Sequence, residues 1–217
     1  LRDIASSSRR DDGSLVCVVD DDHSVRRHLD RQLRYAGYEV AAFDSSRSFL
    51  AFSRPERPTC LVADVRLPEI SGIEMYEKLK TDLFAPEVVF LTGFGEVKLA
   101  ARAIKDGAVD FLEKPVRRSA LLAAVETALE KSRQTLADMR RLRTLTDRYE
   151  TLTPREREVM DYVVTGRLNK ETAFDLGITE ATIKVHRSRI MEKMEAGSIS
   201  SLTLMALTLG RVKRPAP

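Results

Sequence analysis

Five mainly apolar runs, at 15–19, 39–43, 60–64, 87–91 and 109–112, are too short for stable helices and end in polar or turn-forming residues. Runs of that length bounded by turn signals predict strands buried on both faces of a parallel sheet. Between them, apolar residues recur at three- and four-residue steps: Val25, Leu29 and Leu33 before Gly37; Ile73, Tyr76 and Leu79; Leu99, Ala103 and Ile104 before Gly107. That spacing predicts helices, with a shorter one at 48–52 and a further one starting at Arg118. Strands alternating with helices predict an α/β doubly wound fold around a parallel five-stranded sheet. Right-handed crossovers then gather all five strand C-termini on one edge.

From Arg118 onward only helical spacing remains. Leu122, Val125, Leu129, Ser132, Leu136 and Met139 alternate three- and four-residue steps, the seam expected of a coiled coil. Continued to Tyr149, such a helix is a spacer of about 45 Å. Thr153-Pro154-Arg155-Glu156 then predicts a new helix start, with Thr as N-cap, Pro at the first helical position and Glu closing a capping box. Gly166 ends that helix. A second runs from Asn169 to Leu176, Gly177 makes the tight turn, and a third starts at Thr179 with Ile183, Ile190 and Met194 on its inner side. Helix, short Gly-containing turn and helix is the geometry that sets the later helix into a DNA major groove. The last helix, 199–209, carries more apolar residues than one face needs, so Leu202, Met205 and Leu209 are expected to pair two subunits. The expected organisation is a disordered tail at 1–14, an α/β domain at 15–130, a helical linker at 131–150 and an all-α four-helix domain at 151–217.

Charge divides along the same lines. Of the 217 residues, 1–116 hold 17 Lys/Arg against 20 Asp/Glu, whereas 152–217 hold 11 against 8. An acidic front and a basic back suit different partners, with double-stranded DNA the candidate for the back. Arg211-Val212-Lys213-Arg214 would add nonspecific attraction to it. No apolar run approaches the roughly 18 residues of a membrane span, and the polar start shows no secretory signal, so a cytoplasmic protein is expected. Position 1 is Leu rather than Met, so the numbering is expected to begin inside a longer or processed product. Cys17 and Cys60 sit in strand-like runs and read as buried small hydrophobes.

The shared strand edge would bring together Asp20, Asp21, Asp64, Thr92 and Lys114. Crowded carboxylates raise one another's pKa unless a cation intervenes. A hard divalent ion, Mg2+ foremost, takes such oxygen ligands and keeps waters for a phosphate. Asp64 could then act as nucleophile on a phosphoryl group, with the Lys114 ammonium and the Thr92 hydroxyl neutralising and orienting it. Asp22 reads mainly as the N-cap of the helix that follows.

The segments V-V-D-D-D at 18–22, D-V-R-L-P-E-I-S-G at 64–72, L-T-G-F-G at 91–95 and D-F-L-E-K-P at 110–115 resemble a two-component receiver domain. The resemblance spans about residues 15–130 and implies a flavodoxin-like strand order 2-1-3-4-5. It implies that Asp64 accepts phosphate from a sensor histidine kinase. Asp21, Asp64 and the Arg66 backbone carbonyl would bind Mg2+ directly, and Asp20 through water. Thr92 and Phe111 would form the switch pair, with Phe111 acting by packing because it lacks a tyrosine hydroxyl, and Lys114-Pro115 would be cis. Arg66 and Phe94, both bulky, would shield the phosphate and slow its hydrolysis.

The stretch N-K-E-T-A-F-D-L-G-I-T-E-A-T-I-K-V-H-R at 169–187 is similar to the LuxR/NarL-type helix-turn-helix, and the whole chain resembles the FixJ branch of response regulators. Lys184, Val185 and Ser188 would then read bases, while Asn169, Lys170, Thr182 and Arg187 contact the DNA backbone. Thr172 replaces a branched aliphatic residue, at some cost in packing. The implied function is a phosphorylation-controlled transcription factor that dimerises on phosphorylation, with RNA polymerase a further partner. Apart from transfer to and hydrolysis from its own Asp64, it would not be an enzyme. Two rivals remain: a regulator of the same fold whose DNA binding ignores phosphorylation, and a Mg2+-dependent aspartyl-phosphate phosphatase that shares Asp64 but leaves the helix-turn-helix without a job. The latter needs a second Asp where this chain has Arg66.

Overall fold

A computed structural model of the chain describes residues 13–82, 84–93 and 107–211. The elements among them, in order, are β1 (Leu15–Val19), α1 (His23–Tyr35), β2 (Glu39–Phe43), α2 (Ser46–Leu50), β3 (Thr59–Asp64), α3 (Gly72–Leu79), β4 (Glu87–Thr92), β5 (Asp110–Glu113) and α4 (Arg118–Glu150), followed by α5 (Pro154–Val164), α6 (Asn169–Leu176), α7 (Glu180–Lys193) and α8 (Ile199–Thr208). The helix expected around Leu99, Ala103 and Ile104 lies outside the described residues, as do Phe94 and the first twelve positions. The chain forms two compact units that divide between Ala137 and Asp138.

In the first unit the strands pair in parallel in the order β2-β1-β3-β4-β5. Their side chains alternate between two cores, as the period of two requires. Leu15, Cys17, Val19, Leu61, Ala63, Val88 and Phe90 pack with Phe49 of α2 and Met75 and Leu79 of α3. Val16, Val18, Cys60, Val62, Val89 and Leu91 pack on the opposite face with Leu29 and Leu33 of α1 and Leu121, Val125 and Leu129 of α4. β1 and β3 are buried along their whole length, which is why they read as unbroken apolar runs.

α4 is a single helix of 33 residues, but its early part is not a free seam. Val125, Leu129, Ser132 and Leu136 are all buried, together with Leu121, Ala124 and Ala128. Seven positions spaced at 3.6 residues make a stripe wide enough to cover a sheet, broader than a coiled-coil seam. The coiled-coil expectation is corrected over 121–132, because these residues already pack on the sheet. Ser132 Oγ accepts the Thr59 N–H at 3.0 Å, Lys131 pairs with Glu87 at 2.8 Å, and Arg133 donates to Ser14 Oγ at 3.4 Å. Residues 131–133, expected in the linker, and Ser14, expected in the tail, are therefore part of the first unit's packing.

The second unit packs α5 to α8 around Val159, Met160, Val163, Ile183, Ile190, Met194, Leu202 and Ala206, with Tyr149 and Leu152 closing the core. The start of α5 is as the sequence requires: Thr153 Oγ1 accepts the Glu156 N–H at 3.2 Å, and the Glu156 carboxylate accepts the Thr153 N–H at 2.9 Å. The same buried carboxylate takes Lys193 Nζ at 2.6 Å. Burial opposes its charge, yet the Lys193 bond and the Thr153 donors outweigh it and hold its pKa below the usual glutamate range.

Candidate functional site

Four of the five strands of the first unit deliver a polar residue to the sheet's C-terminal edge. β1 is followed at once by Asp20, β3 ends in Asp64, β4 ends in Thr92, and Lys114 follows β5. Lys114 Nζ donates to Asp20 Oδ2 at 2.7 Å and to Asp64 Oδ2 at 2.6 Å. The other oxygen of each carboxylate accepts a main-chain N–H, from Asp22 at 2.9 Å and from Arg66 at 3.0 Å. Lys114 is itself anchored by its N–H on the Thr92 carbonyl at 2.8 Å, and Lys114-Pro115 is cis. Asp20, Asp64 and Thr92 are buried, whereas Asp21 and Arg66 are exposed. Thr92 Oγ1 donates to the Gly93 carbonyl at 3.0 Å. The Phe111 ring lies 5.9 Å from that of Phe90 and is half-buried.

Burial raises the Asp20 pKa despite the Lys114 bond and charge, and the neighbouring Asp64 charge adds to the rise. For Lys114, burial works against the ammonium, but the bonds and charges of Asp20 and Asp64 outweigh it and its pKa lies above the ordinary lysine value. Asp20, Asp21 and Asp64 each offer a carboxylate oxygen, and the three atoms lie within 4.8 Å of one another. Three hard oxygen donors gathered at a solvent-open edge fit Mg2+. Asp22 does not join them: its Oδ1 caps α1, accepting from Ser24 N at 2.7 Å and Val25 N at 3.2 Å, and those donors lower its pKa.

In the second unit Gly177 ends α6 at φ 64°, a left-handed conformation that glycine adopts without strain. Thr179 caps α7, taking the Thr182 N–H on its hydroxyl at 3.1 Å. Ile183, Ile190 and Met194 point fully inward. Lys184, Val185 and Ser188 are exposed on the other side of α7, and Arg187 is half-buried. Asn169, Lys170 and Arg187 line one cavity of about 510 Å3, alongside Arg167 and Glu180. The unit thus presents a helix with a charged, apolar and hydroxyl-bearing face, flanked by basic side chains.

Comparison with known proteins agrees at both ends of the chain. Residues 16–126 match the response regulator receiver domain, and residues 150–206 match the bacterial regulatory proteins of the luxR family. The chain belongs to the response regulators. It is 43% identical to Nodulation protein W of Bradyrhizobium diazoefficiens over 198 residues, 91% of this chain and 87% of that protein. It is 40% identical to the transcriptional regulatory protein FixJ of Rhizobium meliloti, over 90% of this chain and 96% of FixJ. A low-resolution structure of the response regulator StyR superposes with a TM-score of 0.79 at 40% identity, covering 89% of this chain and 98% of that one. This response regulator is accordingly a FixJ-like transcriptional regulator rather than an enzyme in the ordinary sense. A receiver implies a kinase partner and a LuxR-type domain implies DNA.

One expectation at the second unit is corrected. Leu202 is fully buried in the domain core, so it has no surface to give to a second subunit. Met205 and Leu209 are partly buried against the same core, and the most exposed large apolar residue of α8 is Leu204, at 65%. The apolar excess of this helix thus serves its own domain first. Thr172, the unusual residue in α6, is also buried, and its hydroxyl donates to the Leu168 carbonyl at 3.0 Å. Its polarity is absorbed by the helix that contains it.

Two residues shape the acidic site in ways that the sequence does not disclose. Gly72 sits where an added Cβ would lie 2.1 Å from the Asp64 carbonyl oxygen. Arg26 on α1 reaches back to the main chain of Asp20 and Asp21. Gly72 closes the 64–72 segment, but nothing in its spacing says which backbone it faces. Arg26 is one of several arginines on α1, and only the path of the turn distinguishes it.

Proposed function

We propose that this response regulator is switched by phosphorylation at Asp64 and that the phosphorylated form binds DNA as a dimer. The observation that carries the reading is the Lys114 ammonium bridging two buried carboxylates at the sheet edge, 2.7 Å from Asp20 and 2.6 Å from Asp64. An Asp64 oxygen forms the new O–P bond while the P–N bond of the kinase phosphohistidine breaks, and the imidazole nitrogen keeps the electron pair. Lys114, held as an ammonium, exchanges a carboxylate oxygen for a phosphoryl oxygen, and the Thr92 hydroxyl turns from the Gly93 carbonyl to another. Phe111 follows by repacking beside Phe90. Asp21, Asp64 and the Arg66 carbonyl would hold Mg2+ directly and Asp20 through water, and the ion would there neutralise charge on the carboxylates and the phosphoryl group.

In the output domain, Lys184, Val185 and Ser188 read base edges, and Asn169, Lys170, Thr182 and Arg187 hold the phosphate backbone. Two copies engage half-sites about one helical turn apart. Met205 and Leu209, with the exposed Leu204 beside them, offer the apolar surface for pairing, and RNA polymerase is the downstream partner. The working units are a receiver from Ser14 to Ala137 and a DNA-binding unit from Asp138 onward, with the helical stretch before Tyr149 as the linker.

The decisive experiment is labelling with a radioactive phosphoryl donor, kinase or acetyl phosphate. Asp64→Asn is expected to abolish the label while leaving the fold intact. Label retained on that variant overturns the assignment.

A further inference from the structure

Arg26 lies on the second turn of α1, half-buried, six residues beyond Asp20. Its Nη1 donates to the Asp20 carbonyl oxygen at 2.6 Å and reaches that of Asp21 at 3.4 Å. Both acceptors are main-chain oxygens of residues whose carboxylates belong to the acidic cluster. The guanidinium therefore grips the turn from β1 into α1 without occupying either carboxylate. Lys114 does the reverse, since it binds carboxylate oxygens directly. The main-chain bond from Asp20 N to the Phe43 carbonyl is longer, at 3.3 Å, and the bond from Arg26 N to the Asp22 carbonyl, 2.9 Å, ties only the start of α1. Asp21 is exposed, so the direction of its carboxylate follows from the backbone that carries it.

We infer that Arg26 is a positioning residue for the acidic pocket: through the carbonyls of Asp20 and Asp21 it holds the three carboxylates at cation-ligating separation. The inference rests on the reading that Asp20, Asp21 and Asp64 hold a divalent cation. Its sign is distinctive. A guanidinium acting only through its charge repels a nearby cation, so removing it would tighten cation binding. A guanidinium acting as a clamp, when removed, lets the turn relax and loosens binding.

The test is Mn2+ binding to the full-length protein, followed by electron paramagnetic resonance, for the wild type, Arg26→Met, Arg26→Gln and Asp21→Asn. Arg26→Met is expected to weaken Mn2+ binding about tenfold, as loss of a group supporting a metal ligand does, with far-UV circular dichroism unchanged. Arg26→Gln, neutral but still a donor, is expected to fall between Met and wild type. Affinity unchanged or raised in Arg26→Met overturns the clamp. Should that variant not fold, Arg26→Gln decides: weaker binding than wild type supports the clamp, because charge loss alone would tighten it, and equal or tighter binding refutes it. Wild-type protein that fails to bind Mn2+, or Asp21→Asn that binds it as wild type does, removes the pocket reading itself rather than the clamp.

Discussion

Gly72 opens α3 directly beneath the phosphoacceptor candidate, and its missing side chain is what lets the helix start there. Its N–H donates to the Val65 carbonyl at 3.0 Å, which draws the helix against the end of β3. A Cβ at this position would meet the Asp64 carbonyl oxygen at 2.1 Å and its carbon at 3.1 Å, both rigid backbone. Either α3 or the Asp64 main chain must move to admit a methyl group, and overpacking of this kind costs about 1–3 kcal/mol. Gly72→Ala is therefore expected to lower receiver stability in urea and to slow phosphorylation of Asp64 together. Wild-type behaviour in both would mean that α3 can shift away without cost. The cysteines are the opposite kind of residue, legible at once. Cys17 and Cys60 are buried on opposite faces of the sheet, and burial lifts the Cys17 thiol to about 12, with Arg54 and Arg57 offsetting only part. Both behave as small hydrophobes.

At the level of elements, most helix starts are written into the sequence as caps. α1, α2, α3, α5, α7 and α8 each start behind a Ser, Thr or Asp whose side chain accepts from the first turn. Two do not: α4 follows Arg117 and α6 follows Leu168. In α6 the consequence is plain. Its N-cap is Leu168, which has no acceptor, and only the returning half of a capping box remains, with Glu171 Oε2 taking the Leu168 N–H at 3.0 Å. Leu168 is 67% exposed, so it gains little by burial in return. Leu168→Ser is expected to stabilise the second unit by about 1 kcal/mol, seen as a higher midpoint of its transition in calorimetry. A lower midpoint would show that the leucine packs on its surroundings more than its exposure suggests. The element that resisted reading was α4. Taking every third or fourth apolar residue from Leu122 skipped Leu121, Ala124 and Ala128, and alanine is too small to stand out as core in a list of letters. With those three restored the stripe widens from a seam to a sheet-covering face. The apolar excess of α8 misled for a similar reason: Leu202 and Ala206 fill a small domain's core, where a short helix must bury more than one narrow stripe.

For the molecule as a whole, the sequence disclosed which groups meet but not how one site speaks to the other. Parallel strands in the order 2-1-3-4-5 oblige Asp20, Asp64, Thr92 and Lys114 to share an edge, so the acidic site followed from topology. The helix-turn-helix followed from its caps and its Gly177. Coupling is different, because it is a difference in free energy between two states and leaves no motif. It has a measurable size all the same. If phosphorylation controls output, a beryllofluoride-Mg2+ adduct at Asp64 should raise affinity for a cognate two-half-site DNA by about 5- to 150-fold, the usual range of such coupling. Sedimentation should show dimers in step with that gain, because joining two half-site contacts is what multiplies affinity. Asp64→Asn should respond to neither. Salt separates this effect from simple attraction: the second half of the chain carries the basic excess, so raising salt should weaken binding with and without the adduct alike. A ratio between the two forms that persists as salt rises reports the switch. A ratio of one at every salt concentration would leave a DNA-binding protein whose receiver does not govern it.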